Sequence, residues 1–268
     1  MLNEKIYLDE NNPEVVLESF AMVDPLMPAR DAIVIFPGGA YCSLASFREG
    51  DCIAASFASR GVNAFVLSYR LGPKNNSPSQ LIDAARAVAY VKENSEKYHI
   101  NPDRVFTIGF SAGGHLCGNL ATEHKKAEEL LSLPENAARP AGSVYCYPVV
   151  TAMHKTHQGS FIHLLGKPFE SLTEEERIAH SNELHVTKDT PPAFIWHTAE
   201  DPAVPVIGSL MLASAYVDAG VTVELHVYPF GPHGIALGTE LTSNSNEAFI
   251  QQRASEWIDK AVSWMKVV

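Results

Sequence analysis

Gly109-Phe110-Ser111-Ala112-Gly113 reads as a strand end, a serine on a sharp turn and a helix start. Upstream, Arg104-Val105-Phe106-Thr107-Ile108 is an apolar run of strand length, introduced by the turn signal Asn101-Pro102-Asp103. Downstream, Ala112 to Ala121 is rich in small, helix-compatible residues. A strand, Gly-x-Ser-x-Gly and a helix in that order form a nucleophile elbow, whose strained turn lifts the serine hydroxyl into the open beside a helix N-terminus. Side chains in place of the two glycines would collide across the turn. Ser111 is therefore the candidate nucleophile. The pentapeptide also arises by chance, so the reading rests on finding its chemical partners in a compatible chain order.

An acid and a base follow. Ala193-Phe194-Ile195-Trp196-His197-Thr198 has the pattern of a buried strand and breaks into Ala199-Glu200-Asp201-Pro202. Asp201 stands at the turn into a helix running from Pro205 toward Tyr216, which favours it over its neighbour Glu200 and the upstream Asp189. The next segment, Val221 to Tyr228, alternates apolar Val221, Val223, Leu225 and Val227 with polar or aromatic residues, as in a strand near a sheet edge. It ends in Pro229-Phe230-Gly231-Pro232-His233-Gly234, which sets His233 in a loop past the strand end. In the chemistry these residue types support, Ser111 attacks an acyl carbon, His233 carries the proton and Asp201 holds the imidazole tautomer. All three follow strand ends on one side of the sheet.

The other histidines are worse placed for a base. His197 and His226 fall within strands, His99 and His124 lie near helix ends, and His115, one turn beyond Ser111, is expected to pack beneath the site. His154, His157 and His163 show no zinc spacing and read as a solvated loop, so neither a metal nor another cofactor is expected. Cys42, Cys52, Cys117 and Cys146 form no Cys-x-x-Cys pair and read as buried or semi-exposed thiols. For a tetrahedral oxyanion, one donor is the backbone N–H of Ala112. The other is Gly39 or Ala40, in the loop Pro37-Gly38-Gly39-Ala40-Tyr41 after the strand Ala32 to Phe36.

The chain has 268 residues, 46% of them hydrophobic, enough for one large core, so residues 1–268 read as a single α/β domain. A formal charge of −11, from 20 basic and 31 acidic residues, argues against nucleic acid or an anionic membrane as partner and favours neutral small molecules. Met1-Leu2-Asn3-Glu4-Lys5 lacks the basic-then-apolar pattern of a leader, and no stretch has the length and apolarity of a membrane span, so a cytoplasmic location is expected.

Further strands are expected at about Val15 to Phe20, Asn63 to Tyr69 and Ser143 to Tyr147. Helices are expected over Phe47 to Arg60, Ser79 to Tyr98 and Glu247 to Met265. Such alternation implies a mostly parallel sheet of about seven or eight strands with helices on both faces. Thr151 to Pro191 exceeds an ordinary connector and carries a helix-start pattern at Thr173-Glu174-Glu175-Glu176; an insertion over residues 151–191 is expected to cap the pocket.

The Pro37–Tyr41 loop, Ser68-Tyr69-Arg70-Leu71, the run Gly109 to His115, the run His197 to Pro205 and Gly231-Pro232-His233-Gly234 together resemble the α/β-hydrolase serine esterases. More narrowly they resemble the bacterial acetyl xylan esterases and the hormone-sensitive-lipase-like carboxylesterases. The resemblance implies hydrolysis of short acyl esters through an acyl-enzyme, with acetylated sugars or oligosaccharides as substrate class. An arylformamidase- or peptidase-like amide hydrolase, or a ligand-binding protein on the same scaffold, are the alternatives. Where the lipase-like esterases carry His-Gly-Gly-Gly in the oxyanion loop, this chain has Pro37-Gly38-Gly39-Ala40, which removes the histidine that anchors that loop.

Overall fold

A computed structural model describes residues 2–72, 74–153 and 155–268. The chain opens with two short strands, β1 (Lys5–Tyr7) and β2 (Val16–Phe20), then enters β3 (Arg30–Phe36). A π-helical turn (Ser46–Asp51) leads into α1 (Cys52–Ala58) and β4 (Asn63–Ser68). Then come α2 (Ser79–Glu93), α3 (Ser95–Tyr98), β5 (Ile100–Phe110), α4 (Ala112–Leu131) and β6 (Ser143–Cys146). After α5 (Gln158–Leu165) and α6 (Glu174–Ala179), the sheet resumes with β7 (Ala193–Thr198), α7 (Ile207–Asp218) and β8 (Val223–Tyr228), and α8 (Trp257–Met265) closes the fold.

The eight strands form one sheet in the order β1-β2-β4-β3-β5-β6-β7-β8. β2 runs antiparallel to β1 and β4, and every pairing from β4 through to β8 is parallel. Alternating side chains divide between two cores, as the strand period of two requires. In β3, Ala32, Val34 and Phe36 join Leu81, Val88, Leu116 and Leu212 on the side of α2, α4 and α7, while Ile33 and Ile35 join Phe57, Trp257 and Ile258 on the side of α1 and α8. Strands buried on both faces read as near-continuous apolar runs, and β7, with no exposed residue, shows no polar alternation before His197 and Thr198 at its end.

Several boundaries differ from the sequence expectation. The segment expected as one helix from Glu247 to Met265 is helical only from Trp257; before it lie separate 3₁₀ turns, Glu247–Phe249 and Ala254–Glu256. Gln251 N–H donates to Gly238 O at 2.8 Å, tying this stretch to the loop after His233 instead of to its own helix. The helix expected over Ser79 to Tyr98 breaks at Asn94 (φ −98°, ψ 25°). β5 begins before Asn101-Pro102-Asp103, with its register against β3 slipping between Arg30 and Ala32 to accommodate the extra residues. β1 is three residues long, too short for a period of two to stand out in the sequence.

Residues 151–191 contain α5, α6 and 3₁₀ turns at Phe169–Ser171 and Asn182–Leu184. Phe161, Phe169, Leu172, Ala152, Val149 and Val204 form a small apolar core of their own. At the start of α6 the Thr173 hydroxyl accepts from Glu176 N–H while the Glu176 carboxylate accepts from Thr173 N–H, the reciprocal cap its sequence implied.

Candidate active site

Ser111 joins β5 to α4 in a conformation (φ 53°, ψ −116°) that non-glycine residues adopt only when their surroundings enforce it. Close backbone crossing supplies the enforcement: a Cβ on Gly109 would stand 2.0 Å from Gly113 O, and one on Gly113 would stand 2.0 Å from Phe36 O. Ser111 N–H donates to Cys146 O and Ser111 O accepts from Val149 N–H, both at 3.0 Å, so the turn is also held from β6.

The structure brings Ser111, His233 and Asp201 into one hydrogen-bonded chain. Ser111 Oγ lies 2.8 Å from His233 Nε2, and His233 Nδ1 lies 2.6 Å from Asp201 Oδ2. A carboxylate only accepts, so Nδ1 carries the proton and the unprotonated Nε2 accepts from the serine hydroxyl. Asp201 is itself held on four sides. Oδ1 accepts from Ala203 N–H and Val204 N–H at 2.9 Å each, and Oδ2 also faces His197 Nε2 at 3.2 Å. Burial alone would raise its pKa, but the hydrogen bonds from His197 and His233 and the charge of His233 outweigh that and hold the carboxyl well below its usual range. The alternatives to Asp201 sit elsewhere: Glu200 is exposed, and Asp189 lies 3.8 Å from Lys125 on the surface.

His197 was set aside as a strand residue, and it is no base. It is buried, its Nε2 faces both Asp201 Oδ2 and Val204 O (3.0 Å), and Nδ1 pairs with Ser209 Oγ at 2.8 Å. Two acceptors at Nε2 require a proton there, which makes His197 a second imidazole donor to the acid.

The loop after β3 turns through three successive positive φ values, Gly39 (132°), Ala40 (52°) and Tyr41 (61°). Only contacts from outside the loop can hold non-glycine residues so. Glu49 accepts from Gly38 N–H at 2.8 Å, and Tyr69 O–H donates to Pro37 O at 2.7 Å. His163 Nδ1 lies 2.9 Å from Ala40 O, and Tyr41 O–H lies 2.8 Å from His115 Nδ1. His115 Nε2 faces His180 O at 3.0 Å, so the proton sits on Nε2 and Nδ1 accepts from Tyr41. Burial lowers the His115 pKa to about 3, consistent with that neutral tautomer. The anchoring lost with the histidine of His-Gly-Gly-Gly is thus supplied by Tyr41, His115 and His163.

Among the described residues, the N–H groups of Gly39, Ala40 and Ala112 donate to no protein acceptor. Gly39 and Ala40 share with Ser111 and His233 a cavity of about 310 Å³. Its remaining walls are Cys42, Ser43, Ala45, Glu49 and His157. Three larger surface hollows among the described residues, near Glu224, near Lys92 and near Lys125, include none of these groups.

The reading of residues 154–163 as a solvated loop is corrected. His157 and His163 are half-buried against the site, one in the cavity wall and one on the loop after β3; His154 lies outside the described residues. Apolar residues at Phe161 and Leu164 carry α5 down onto the body of the fold, where Phe161 packs edge-on to His115 at 5.2 Å. Cys42 is exposed in the cavity wall, and the other three thiols are buried, with burial pushing Cys117 up to about 12. No helix of the described residues is long and apolar enough to cross a membrane.

A mostly parallel eight-stranded sheet with helices on both faces and a strand–serine–helix turn at its centre defines the α/β-hydrolase fold and, within it, the serine hydrolase class. The BD-FAE family profile matches residues 26–216, and the chain belongs to that family. It is 38% identical to endo-1,4-beta-xylanase B of Butyrivibrio fibrisolvens over 79% of this chain and 33% of that protein. It is 32% identical to an acetylxylan esterase of Xylanibacter ruminicola over 80% of this chain and 43% of that one. The chain therefore spans less than half the length of these curated relatives. An acetyl ester-xyloside bifunctional hydrolase from Caldicellulosiruptor lactoaceticus superposes with a TM-score of 0.82 at 31% identity, covering 98% of this chain and 95% of that one.

Proposed function

We propose that this chain hydrolyses short acyl esters, acetyl groups on sugars or oligosaccharides above all, through a covalent acyl-enzyme. The observation that carries the proposal is the Ser111–His233–Asp201 chain, with links of 2.8 and 2.6 Å. Ser111 Oγ attacks the ester carbonyl as its proton passes to His233 Nε2. The oxyanion is received by backbone N–H groups of Ala112 and of Gly39 or Ala40. His233, now an imidazolium stabilised by Asp201, protonates the departing alcohol, and water then repeats the sequence on the acyl-enzyme.

Cavity composition supports the substrate class. Apart from the imidazoles of His157 and His233, its walls carry no large aliphatic or aromatic side chain, so an extended acyl chain would forgo the roughly 0.8 kcal/mol that each buried methylene contributes elsewhere. A two-carbon acyl group loses little by that. The insertion over 151–191 acts in this reading as a cap, because α5 lends His157 to the cavity and His163 to the loop after β3.

Hydrolysis of p-nitrophenyl acetate, butyrate and octanoate, beside acetylated xylo-oligosaccharides and with Ser111→Ala as the blank, tests the proposal. Turnover that falls with acyl length, includes the sugar acetates and drops on the order of 10⁴-fold or more in Ser111→Ala is expected. Wild-type turnover by the alanine variant would overturn it.

A further inference from the structure

His157 occupies a place that the triad does not explain. It is the N-cap of α5, where its Nδ1 accepts from Ser160 N–H at 3.3 Å and pairs with Ser160 Oγ at 3.0 Å. An imidazole nitrogen that accepts a backbone N–H carries no proton, so the ring's single proton is on Nε2. Burial lowers the pKa of His157, and the charges of His233 and His163 act in the same direction, so the ring is held in that neutral form. His157 lines the cavity that holds Ser111 and His233, and of its two ring nitrogens only Nδ1 is taken up by Ser160. Nε2 has no protein partner among the described residues. The cap therefore presents one fixed-tautomer N–H donor in a wall that otherwise consists of small side chains and groups already engaged, such as Ser43 Oγ on Gly39 O and the Glu49 carboxylate on Gly38 N–H.

We infer that His157 binds the alcohol half of the substrate, its Nε2–H donating to a hydroxyl or ring oxygen of a polyol or sugar ester seated over Ser111. The inference rests on the esterase reading above. The assignment to the alcohol half follows from the mechanism: His233 Nε2 delivers its proton to the leaving oxygen, so the alcohol lies on the His233 side of the reacting carbon. His157 shares the cavity with His233 and lies near enough to feel its charge. The oxyanion goes instead to the backbone of Gly39 or Ala40 and Ala112. Hydroxylated alcohols are singled out because a substrate seated over Ser111 would cover the Nε2–H, and a covered N–H without an acceptor is penalised, whereas an alkyl or aryl alcohol offers it none.

The test compares kcat/KM for an acetylated methyl β-xyloside with kcat/KM for p-nitrophenyl acetate, in the wild type and in His157→Asn. Asparagine still caps α5 through its side-chain oxygen but cannot present the Nε2–H. The ratio of the two values is expected to fall about tenfold in the variant, and the ratio is insensitive to any loss of folded protein. An unchanged ratio overturns the inference. So does a wild type that cleaves the aryl ester and not the sugar acetate, while leaving the esterase reading intact. A wild type inactive on both esters overturns the esterase reading, and the inference with it.

Discussion

Both oxygens of Asp201 are fully engaged, one by two backbone N–H groups and the other by two imidazoles. His115 shows the same control of charge by surroundings with the opposite chemistry, since its buried ring is kept neutral between Tyr41 O–H and His180 O. That neutrality has a pH signature. Folding lowers its pKa from the ordinary 6.5 to about 3, so as pH falls below 6.5 the unfolded chain takes up the proton first and stability drains until pH approaches 3. The loss attributable to this one group runs at up to about 1.4 kcal/mol per pH unit. Denaturant unfolding between pH 7 and 4 should show a steeper decline in the wild type than in His115→Gln; equal slopes would refute the assignment. At this scale Ser111, Asp201 and His233 could be singled out from sequence because each follows a strand end. Tyr41–His115 and His163–Ala40 could not, because the partners stand 74 and 123 residues apart.

One short element holds two loops together. The π-helical turn Ser46–Asp51 presents Glu49 inward, where it accepts from Gly38 N–H and from Tyr147 O–H at 2.8 Å each. The same turn sends Arg48 to Thr242 O at 2.8 Å, to Gly234 O and over the ring of Phe249. Tyr147 in turn accepts from Ala236 N–H at 3.1 Å and packs its ring edge-on to His233 at 5.1 Å. The loop after β3 and the loop bearing His233 are thereby referenced to one turn. π-Turns of this kind recur at functional sites because they re-aim side chains that a regular helix would direct elsewhere. Glu49→Leu strands two buried donors; it should cost about 3 kcal/mol in denaturant unfolding and lower kcat at least about tenfold with a smaller change in KM. Unaltered kcat in a folded variant would show that the turn does not hold the loops for catalysis. Sequence periodicity expected an ordinary helix from Phe47, since six residues are too few for apolar spacing to tell a π-turn from an α-turn.

Across the whole molecule, α8 couples the second core to the site. Trp257 stacks on Trp196 at 5.3 Å, meets Phe57 and Phe110 edge-on, and donates its indole N–H to Ala236 O at 2.9 Å, three residues beyond His233. Trp257→Ala removes a fully buried indole and that donor together, and should cost about 3–5 kcal/mol by denaturant midpoint, with the proposed ester hydrolysis lost in the same transition. A loss under 1 kcal/mol would mean that the C-terminal helix is a peripheral addition and not part of the frame of the site. The expected helix over Glu247 to Met265 failed for a reason at this scale: backbone bonds to Gly238 and the stack of Arg48 on Phe249 outcompeted its local helical preference.

Local information determined the alternation of strands and helices, the parallel sheet, the elbow at Ser111 and the placement of Asp201 and His233 after their strands. Hydrophobic period, glycine and proline punctuation and strand-end position are all properties of a few adjacent residues. The tertiary structure alone decided how the loop after β3 is anchored, that His157 and His163 of the insertion reach the site, that His197 supports Asp201, and where the last helix begins. Each of these depends on polar partners or packing surfaces that local sequence does not reveal, and they meet only once burial makes an unpaired donor costly.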